Sequence, residues 1–163
     1  MKFHSVNIEE WKEALITHPE HLAELPYTVQ QFESIIGIVF DQYIRDGLGI
    51  YRGKPLRLNG VLFYVQGPIE TDQVGAIISV LGNEREPERL LVDICNELDL
   101  QLSDLRNISE YRAGPKYRVI RLDDNGNEIE MEQFLNELSA DSYAKTFEVR
   151  GHKQTYFVKD VCT

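Results

Sequence analysis

The stretch LRLNGVLFYV, residues 56–65, decides the fold class of this 163-residue chain. Asn59-Gly60 stands between two apolar runs, and this dipeptide is the strongest short-range signal for a β-hairpin. Gly67-Pro68 then ends the second strand. Helical patterns precede and follow the hairpin, so the sequence predicts an α+β fold: a helical and β-hairpin N-terminal part followed by a small ββαβ unit.

Two helices are expected before the hairpin. Asn7 and Thr28 each stand three residues before a Glu or a Gln, which is the capping-box pattern that begins a helix. The apolar stripe of the second helix continues as far as Tyr43, and glycines follow it at positions 47 and 49. We therefore expect that helix to include Tyr43, and we expect a short helical turn over residues 21–25 between the two helices.

Two more helices are expected after the hairpin. One starts near Thr71 or Asp72 and buries apolar side chains as far as Leu81, and the other has Pro87 in its first turn. Residues 103–109 are expected to add a short helical turn.

Ala113-Gly114-Pro115 is the expected boundary between two domains, residues 1–113 and 114–163. The second domain shows the pattern of a ββαβ unit. The pattern comprises a strand over residues 116–122, a tight turn at 124–127, a returning strand from 128, a helix over 139–150 that Gly151 ends, and a last strand over 155–161.

Two motifs in this second domain carry a family resemblance. Residues 123–127 read DDNGN, and residues 150–157 read RGHKQTYF. Residues 114–161 resemble a short bacterial domain that is similar to the SPOR (sporulation-related repeat) domains, small α+β modules of which some bind septal peptidoglycan glycans. The last residue of the second motif is Phe157, where that pattern usually has Trp. We recognise no family in residues 1–113.

The charge of the chain is uneven. The 17 Lys and Arg residues against 27 Asp and Glu residues give a formal net charge of −10 at pH 7. Residues 1–113 hold 10 basic and 18 acidic side chains, and residues 114–163 hold 7 and 9. Nucleic-acid backbones and anionic membranes attract basic surfaces, so we expect neither as a partner.

The expected compartment is the cytoplasm. No apolar region of the signal-peptide kind follows the N-terminus, and no apolar stretch approaches the roughly 20 residues of a membrane span. Cys95 and Cys162 are far apart in the chain and show no metal-binding or disulfide spacing. We interpret them as a core thiol and a terminal thiol.

Three motifs suggest phosphate or metal chemistry, and each has a plainer interpretation. Residues 47–55 lack the Gly and the Ser or Thr that a phosphate-binding loop needs at its ends, which favours a helix end followed by a strand. Residues 123–128 look like a calcium loop, but Arg121 would occupy the first ligand position, which favours a hairpin turn. Residues 18–21 contain two histidines without a third ligand at a recognisable spacing. We therefore expect no cofactor, no metal and no catalytic residue.

The sequence predicts a non-enzymatic bacterial protein-interaction protein. Its specific form is an inhibitor or immunity protein that covers a basic partner, such as a toxin. The candidate partner-binding residues are Glu9, Glu10, Glu13, Asp41, Asp46, Glu70 and Asp72.

Two alternatives stay open. One is a regulatory module that binds a glycan or a small metabolite through the ββαβ unit. Its candidate residues are Tyr117, His152, Tyr156 and Phe157. The other is an enzyme whose site assembles in space around His152 or His21.

Overall fold

The computed structural model describes residues 2–47, 49–69, 75–149 and 154–162. The elements in chain order are β1 (His4–Ser5), α1 (Ile8–Ala14), β2 (Glu20–Glu24), α2 (Val29–Ile36), β3 (Gln42–Asp46), β4 (Gly49–Leu58), β5 (Val61–Pro68), β6 (Ile77–Val80), α3 (Pro87–Leu98), β7 (Tyr117–Leu122), β8 (Glu128–Phe134), α4 (Glu137–Val149) and β9 (Thr155–Asp160). The strands form two antiparallel sheets, which confirms the predicted α+β class.

The larger sheet has the strand order β1-β4-β5-β6-β2, and β3 also pairs with β4. Because β5 occupies the other edge of β4, β1 and β3 lie end to end along one edge of that strand. Side chains of α2 and α3 pack against one face of this sheet and form the main core. The core side chains of the sheet are Leu22, Ala23, Leu56, Leu58, Phe63, Val65, Ile78 and Val80.

The predicted hairpin is confirmed, and its turn shows why Asn-Gly is needed. Asn59 has φ of +49° and Gly60 has φ of +84°. A two-residue turn with positive φ at both positions matches the twist of the flanking strands, and Asn and Gly adopt that conformation most easily. The turn therefore fixes the register in which Leu58 pairs with Val61 and Leu56 with Phe63.

The second predicted helix begins where the sequence indicates but ends much earlier. The Thr28–Gln31 capping box is present, with both reciprocal hydrogen bonds. Gly37 ends α2 in the left-handed conformation, with φ of +71°, and its N–H donates to the Glu33 carbonyl at 2.9 Å. The prediction that this helix includes Tyr43 is wrong, because the chain leaves the helix at Gly37 and residues 42–46 form β3.

Two other segments expected to be helical are strands. Residues 20–24 form β2 rather than a helical turn, and Ile77–Val80 forms β6. The helix predicted to bury side chains as far as Leu81 would begin near Thr71 or Asp72, and residues 71–74 lie outside the described residues. β6 pairs with β5, the preceding strand, and with β2, which is distant in the sequence, and this position in the sheet buries its β-branched side chains.

The remaining helical predictions are largely confirmed. α1 follows Asn7, whose side chain accepts from the Glu9 N–H at 2.8 Å, and α3 begins with Pro87. In place of a single turn within residues 103–109, two 3-10 turns form, over Leu102–Asp104 and Glu110–Ala113.

The smaller sheet has the order β8-β7-β9, with α4 packed on one face, so the predicted ββαβ pattern is confirmed. The DDNGN sequence forms the hairpin turn between β7 and β8. The Asp123 carboxylate accepts from the Asn127 and Asn125 N–H groups at 2.8 and 2.9 Å, and these bonds lower the pKa of Asp123 below its usual value. Gly151, the expected end of α4, lies outside the described residues.

Polar contacts join the smaller sheet to the larger one. The Glu20 carboxylate accepts hydrogen bonds from the Asn136 amide and from the Ser139 hydroxyl, the second at 3.2 Å. The Leu135 N–H donates to the Gly82 carbonyl at 2.8 Å, and the Leu135 side chain packs into the main core. The division into domains at residue 113 stays a prediction.

Candidate functional site

A cleft of about 340 Å³ lies on the face of the larger sheet opposite α2 and α3, between α1 and β3. Side chains of the sheet form its floor, α1 forms one wall and β3 forms the other. The lining residues are Ile8, Trp11, Lys12, Leu15, Pro19, Gln42, Tyr43, Ile44, Tyr64, Gln66 and Ser79.

The alternation of β5 places polar side chains in the cleft floor. Phe63 and Val65 face the main core, so Tyr64 and Gln66 face the opposite side of the sheet. Ser79 is the cross-strand partner of Tyr64 and faces the same side. The floor therefore combines an aromatic ring with an amide and a hydroxyl, which is typical of a site that binds an apolar group and orients it by hydrogen bonds.

Trp11 and Tyr64 form the aromatic part of the cleft. Their ring centroids lie 5.4 Å apart with an interplanar angle of 35°, and both side chains are buried. The Tyr64 ring lies directly over the backbone of Gly53, where a Cβ would come within 2.6 Å of Tyr64 Cε1. A side chain at position 53 would therefore displace the ring that forms the cleft floor.

Burial and the nearby carboxylate of Asp41 raise the pKa of Tyr64 to about 12. The hydroxyl group of Tyr64 therefore stays protonated at neutral pH, and it can serve a ligand as a hydrogen-bond donor. Because it does not ionise in that range, it is poorly suited to act as a general base.

We expect the raised pKa of Tyr64 to make folding stability fall in alkaline solution. The folded-state pKa lies above the usual value near 10, so the folded chain holds this proton more tightly than the unfolded chain does. The stabilisation is fully present below pH 10 and is lost between about pH 10 and pH 12, by about 2 kcal/mol. Urea unfolding across that range should show a steeper decline for the wild type than for Tyr64→Phe, and equal slopes would contradict the assignment.

Of the described residues that line the cleft, none carries a carboxylate, an imidazole or a thiol, and the lining includes the Lys12 ammonium and the Ser79 hydroxyl. At its edge, the strand register places His21 opposite Ser79, but among the described residues no hydrogen bond links these two side chains. Throughout the residues that the structure describes, no three His, Cys, Asp or Glu side chains are grouped so that they could hold a metal ion.

The acidic residues proposed from the sequence divide into paired and unpaired groups. Glu10 forms an ion pair with Arg57 at 2.5 Å, and Asp41 forms one with Lys54 at 3.0 Å. The hydrogen bond from Lys54 holds the pKa of Asp41 below its usual value. The other acidic residues on α1, Glu9 and Glu13, are exposed and form no ion pair within the described part of the chain. The Asp46 side chain, Glu70 and Asp72 lie outside the described residues.

The aromatic residues proposed as a ligand site lie on two faces of the smaller sheet. Tyr156 is buried under α4, where its ring stacks on Phe147 with the centroids 5.3 Å apart, and Tyr117 packs against the same cluster. Phe157 points to the opposite face because it follows Tyr156 in β9, and the Lys159 ammonium lies 5.5 Å from its ring centroid. The fourth candidate, His152, is outside the described residues.

The sequence does not predict the cleft. Its floor follows in part from the alternation of β5, which turns Tyr64 and Gln66 away from the core side chains, and the α1 wall follows from the predicted helix. The β3 wall does not, because the apolar stripe of α2 predicts a helix that includes Tyr43.

Comparisons with protein-family models, with curated proteins and with solved structures find no match to this chain. Of the helices that the structure describes, none is both long enough and apolar enough to cross a membrane.

Proposed function

We propose that this chain is a non-enzymatic protein-interaction protein, of the inhibitor or immunity type, that binds a basic partner through the cleft between α1 and β3. An apolar side chain of the partner enters the cleft, and basic side chains beside it meet the carboxylates of α1. The observation that carries the proposal is the combination of a largely apolar cleft with unpaired acidic side chains on its helical wall.

The shape and chemistry of the cleft suit a side chain of a partner. Trp11, Leu15 and Ile44 supply apolar surface, while Gln42 and Gln66 can bond to a polar backbone passing over the opening. Aromatic anchors in pockets carry much of the binding free energy of protein interfaces.

The net charge of α1, which carries three carboxylates and the Lys12 ammonium, favours a basic partner. Glu9 and Glu13 are exposed on α1 next to the residues that line the cleft. Because they form no ion pair with described residues, a partner's Lys or Arg can meet them without breaking an internal bond. Glu10 and Asp41 would first have to release Arg57 and Lys54. The Glu10–Arg57 pair is solvent-accessible, and exposed pairs contribute about 0.2–1 kcal/mol each, whereas the Lys54 side chain is only 15% exposed.

We expect a random peptide library, displayed on phage and selected on the immobilised protein, to yield peptides with one large apolar residue flanked by Lys or Arg. Filling the cleft with Gln66→Trp should weaken binding of a selected peptide by at least about ten-fold, since the anchoring side chain loses its pocket. Leu138→Trp is the matched control, because Leu138 is 74% exposed on α4 and is not one of the residues that line the cleft.

The acidic residues are tested with the same peptides. Glu9→Gln combined with Glu13→Gln should slow association and reduce its dependence on salt, as expected for charges at the rim of an interface. Selected peptides without a basic and apolar consensus, or equal binding to Gln66→Trp and Leu138→Trp, would contradict the proposed function.

A further inference from the structure

The outer edge of β2 is covered by the chain itself. The segment 106–109 bonds along this strand: the Glu24 N–H donates to the Arg106 carbonyl and the Arg106 N–H donates to the Glu24 carbonyl, both at 2.8 Å. The Ser109 N–H also donates to the Leu22 carbonyl at 2.8 Å. Uncovered edges expose backbone groups to which other chains can bind, and proteins usually cover or charge them.

The outer edge of β8 is protected by charge instead. The strand carries Glu128, Glu130 and Glu132, so a second copy of this edge would bring carboxylates together. This chain therefore uses both common means of protecting an edge.

The outer edge of β3 is not covered by the described part of the chain, and its two charged residues, Arg45 and Asp46, have opposite signs and so do not repel a second copy of the strand. Among the described residues, β3 pairs only with β4. Tyr43 is 64% exposed and Ile44 is 44% exposed, and the strand has no proline. An exposed edge strand with large apolar side chains is a surface to which another strand can bind.

The hydrogen-bond pattern of β4 shows which β3 backbone groups point outward. The Pro55 carbonyl accepts from the Val6 N–H on the edge shared by β1 and β3, whereas the Ile50 carbonyl accepts from the Ile69 N–H on the β5 side. The backbone N–H and C=O groups of successive residues point to opposite edges of a strand, so residues 51 and 53 of β4 point to the same edge as Pro55. They therefore bond to their β3 partners, Ile44 and residue 42. Tyr43 and Arg45 therefore direct their N–H and C=O groups away from β4.

We propose that β3 pairs antiparallel with β3 of a second copy of this chain, with the two-fold axis passing beside Ile44. In this register Tyr43 lies opposite Arg45 of the partner subunit, and each of these residues directs its backbone groups across the interface. Ile44 lies opposite Ile44 of the partner subunit as a non-hydrogen-bonded pair, with the Cα atoms about 4.5 Å apart. The strand is thus complementary to itself in a closed, two-fold arrangement.

The side chains fit this register. The Arg45 guanidinium meets the ring of Tyr43 of the partner subunit, an arrangement that permits a cation–π contact, and no two like charges lie directly opposite in these pairs. The Ile44 side chains meet on the side of the sheet that holds the cleft, since Ile44 pairs with Tyr51 and lines the cleft. With a net charge of −10 on each copy, added salt should strengthen the association by screening.

The dimer goes beyond the proposed function and does not depend on it, although both use Ile44. The dimer needs the backbone edge of β3, and the partner site needs the cleft floor. If the peptide selection fails, the proposed dimer is not contradicted. If the protein is monomeric, the cleft can still bind a partner.

A disulfide test distinguishes this register from random collision. In a Cys162→Ser background, Ile44→Cys should form a covalent dimer under mild oxidation, because the Cα separation of the proposed pair lies within disulfide range. Tyr43→Cys is the matched control: it is at least as exposed, but its diagonal Cα separation of about 7–8 Å exceeds what a disulfide bridges. The remaining Cys95 is buried.

Light scattering on the wild type supplies the second readout. The mass should rise towards twice 18.9 kDa with protein concentration and with salt, and Ile44→Lys should stay monomeric with an unchanged melting temperature. Equal cross-linking at positions 43 and 44, or a monomeric mass for the wild type at every concentration and salt, would overturn the proposal.

Discussion

Replacing Phe32 by alanine should lower the free energy of unfolding by about 3–5 kcal/mol. Phe32 is fully buried on α2, and its ring packs edge-on against Phe3 at 5.7 Å and against Phe40 at 5.9 Å. Phe3 in turn contacts Phe63 of β5 at 6.3 Å. The substitution therefore leaves a cavity where three separate segments meet, and none of these segments can close it alone.

The control for this prediction lies on the same helix. Ile35 is 40% exposed, so Ile35→Ala removes little buried surface and should cost no more than about 1 kcal/mol. Urea unfolding followed by the fluorescence of Trp11, the one tryptophan of the chain, measures both variants on the same scale. Similar losses for the two variants would show that Phe32 is not the centre of this core.

The parts of the fold that the sequence predicts well are held by local signals. Asn59-Gly60 fixes one hairpin, and the DDNGN turn fixes another through the bonds of Asp123 to its own neighbours. The ββαβ unit is short, and its strands pair across nearby turns. In such segments the conformation is determined by the local preferences of the same residues that make the contacts, so the sequence pattern is sufficient to predict it.

The errors all concern strands of the larger sheet. The sequence predicts a helical turn over residues 21–25, a helix that includes Tyr43 and a helix that extends to Leu81, whereas the structure has β2, β3 and β6 in these places. β2 pairs with the remote β6, while β3 and β6 pair with the strands next to them in the chain, β4 and β5. Short apolar runs have no reliable period, so pairing within the sheet decides between helix and strand.

The cleft could not be predicted because it needs two of these strands, β3 and β6, in their places at once. Its lining comes from α1, β3, β5 and β6, which only the assembled sheet brings together. The acidic residues of α1 could be identified from the sequence, but their pairing could not. Whether Glu10 meets Arg57 depends on α1 crossing the hairpin.

Trp11→Ala should have an effect as large as Phe32→Ala, about 3–5 kcal/mol, and should also remove one wall of the cleft. α1 has seven residues, too few to be stable as an isolated helix, and Trp11 is its buried residue. Contact of Trp11 with Tyr64 therefore holds the helix on the sheet. Trp11→Phe keeps an aromatic ring there and should lose less stability.

The ionisation of Tyr64 reports what happens to the cleft, separately from stability. If α1 leaves the sheet in Trp11→Ala, water reaches the phenol and its pKa falls from about 12 towards 10, because burial is the main cause of the shift. Ultraviolet titration against Trp11→Phe measures this change, with Tyr64→Phe identifying the signal of this residue. Loss of stability with an unchanged pKa would mean that Trp11 stabilises the fold without shielding the cleft floor. Loss of stability together with a lowered pKa of Tyr64 would show that the cleft depends on the position of α1. The contact between Trp11 and Tyr64 would then both stabilise the helix on the sheet and keep the binding surface formed.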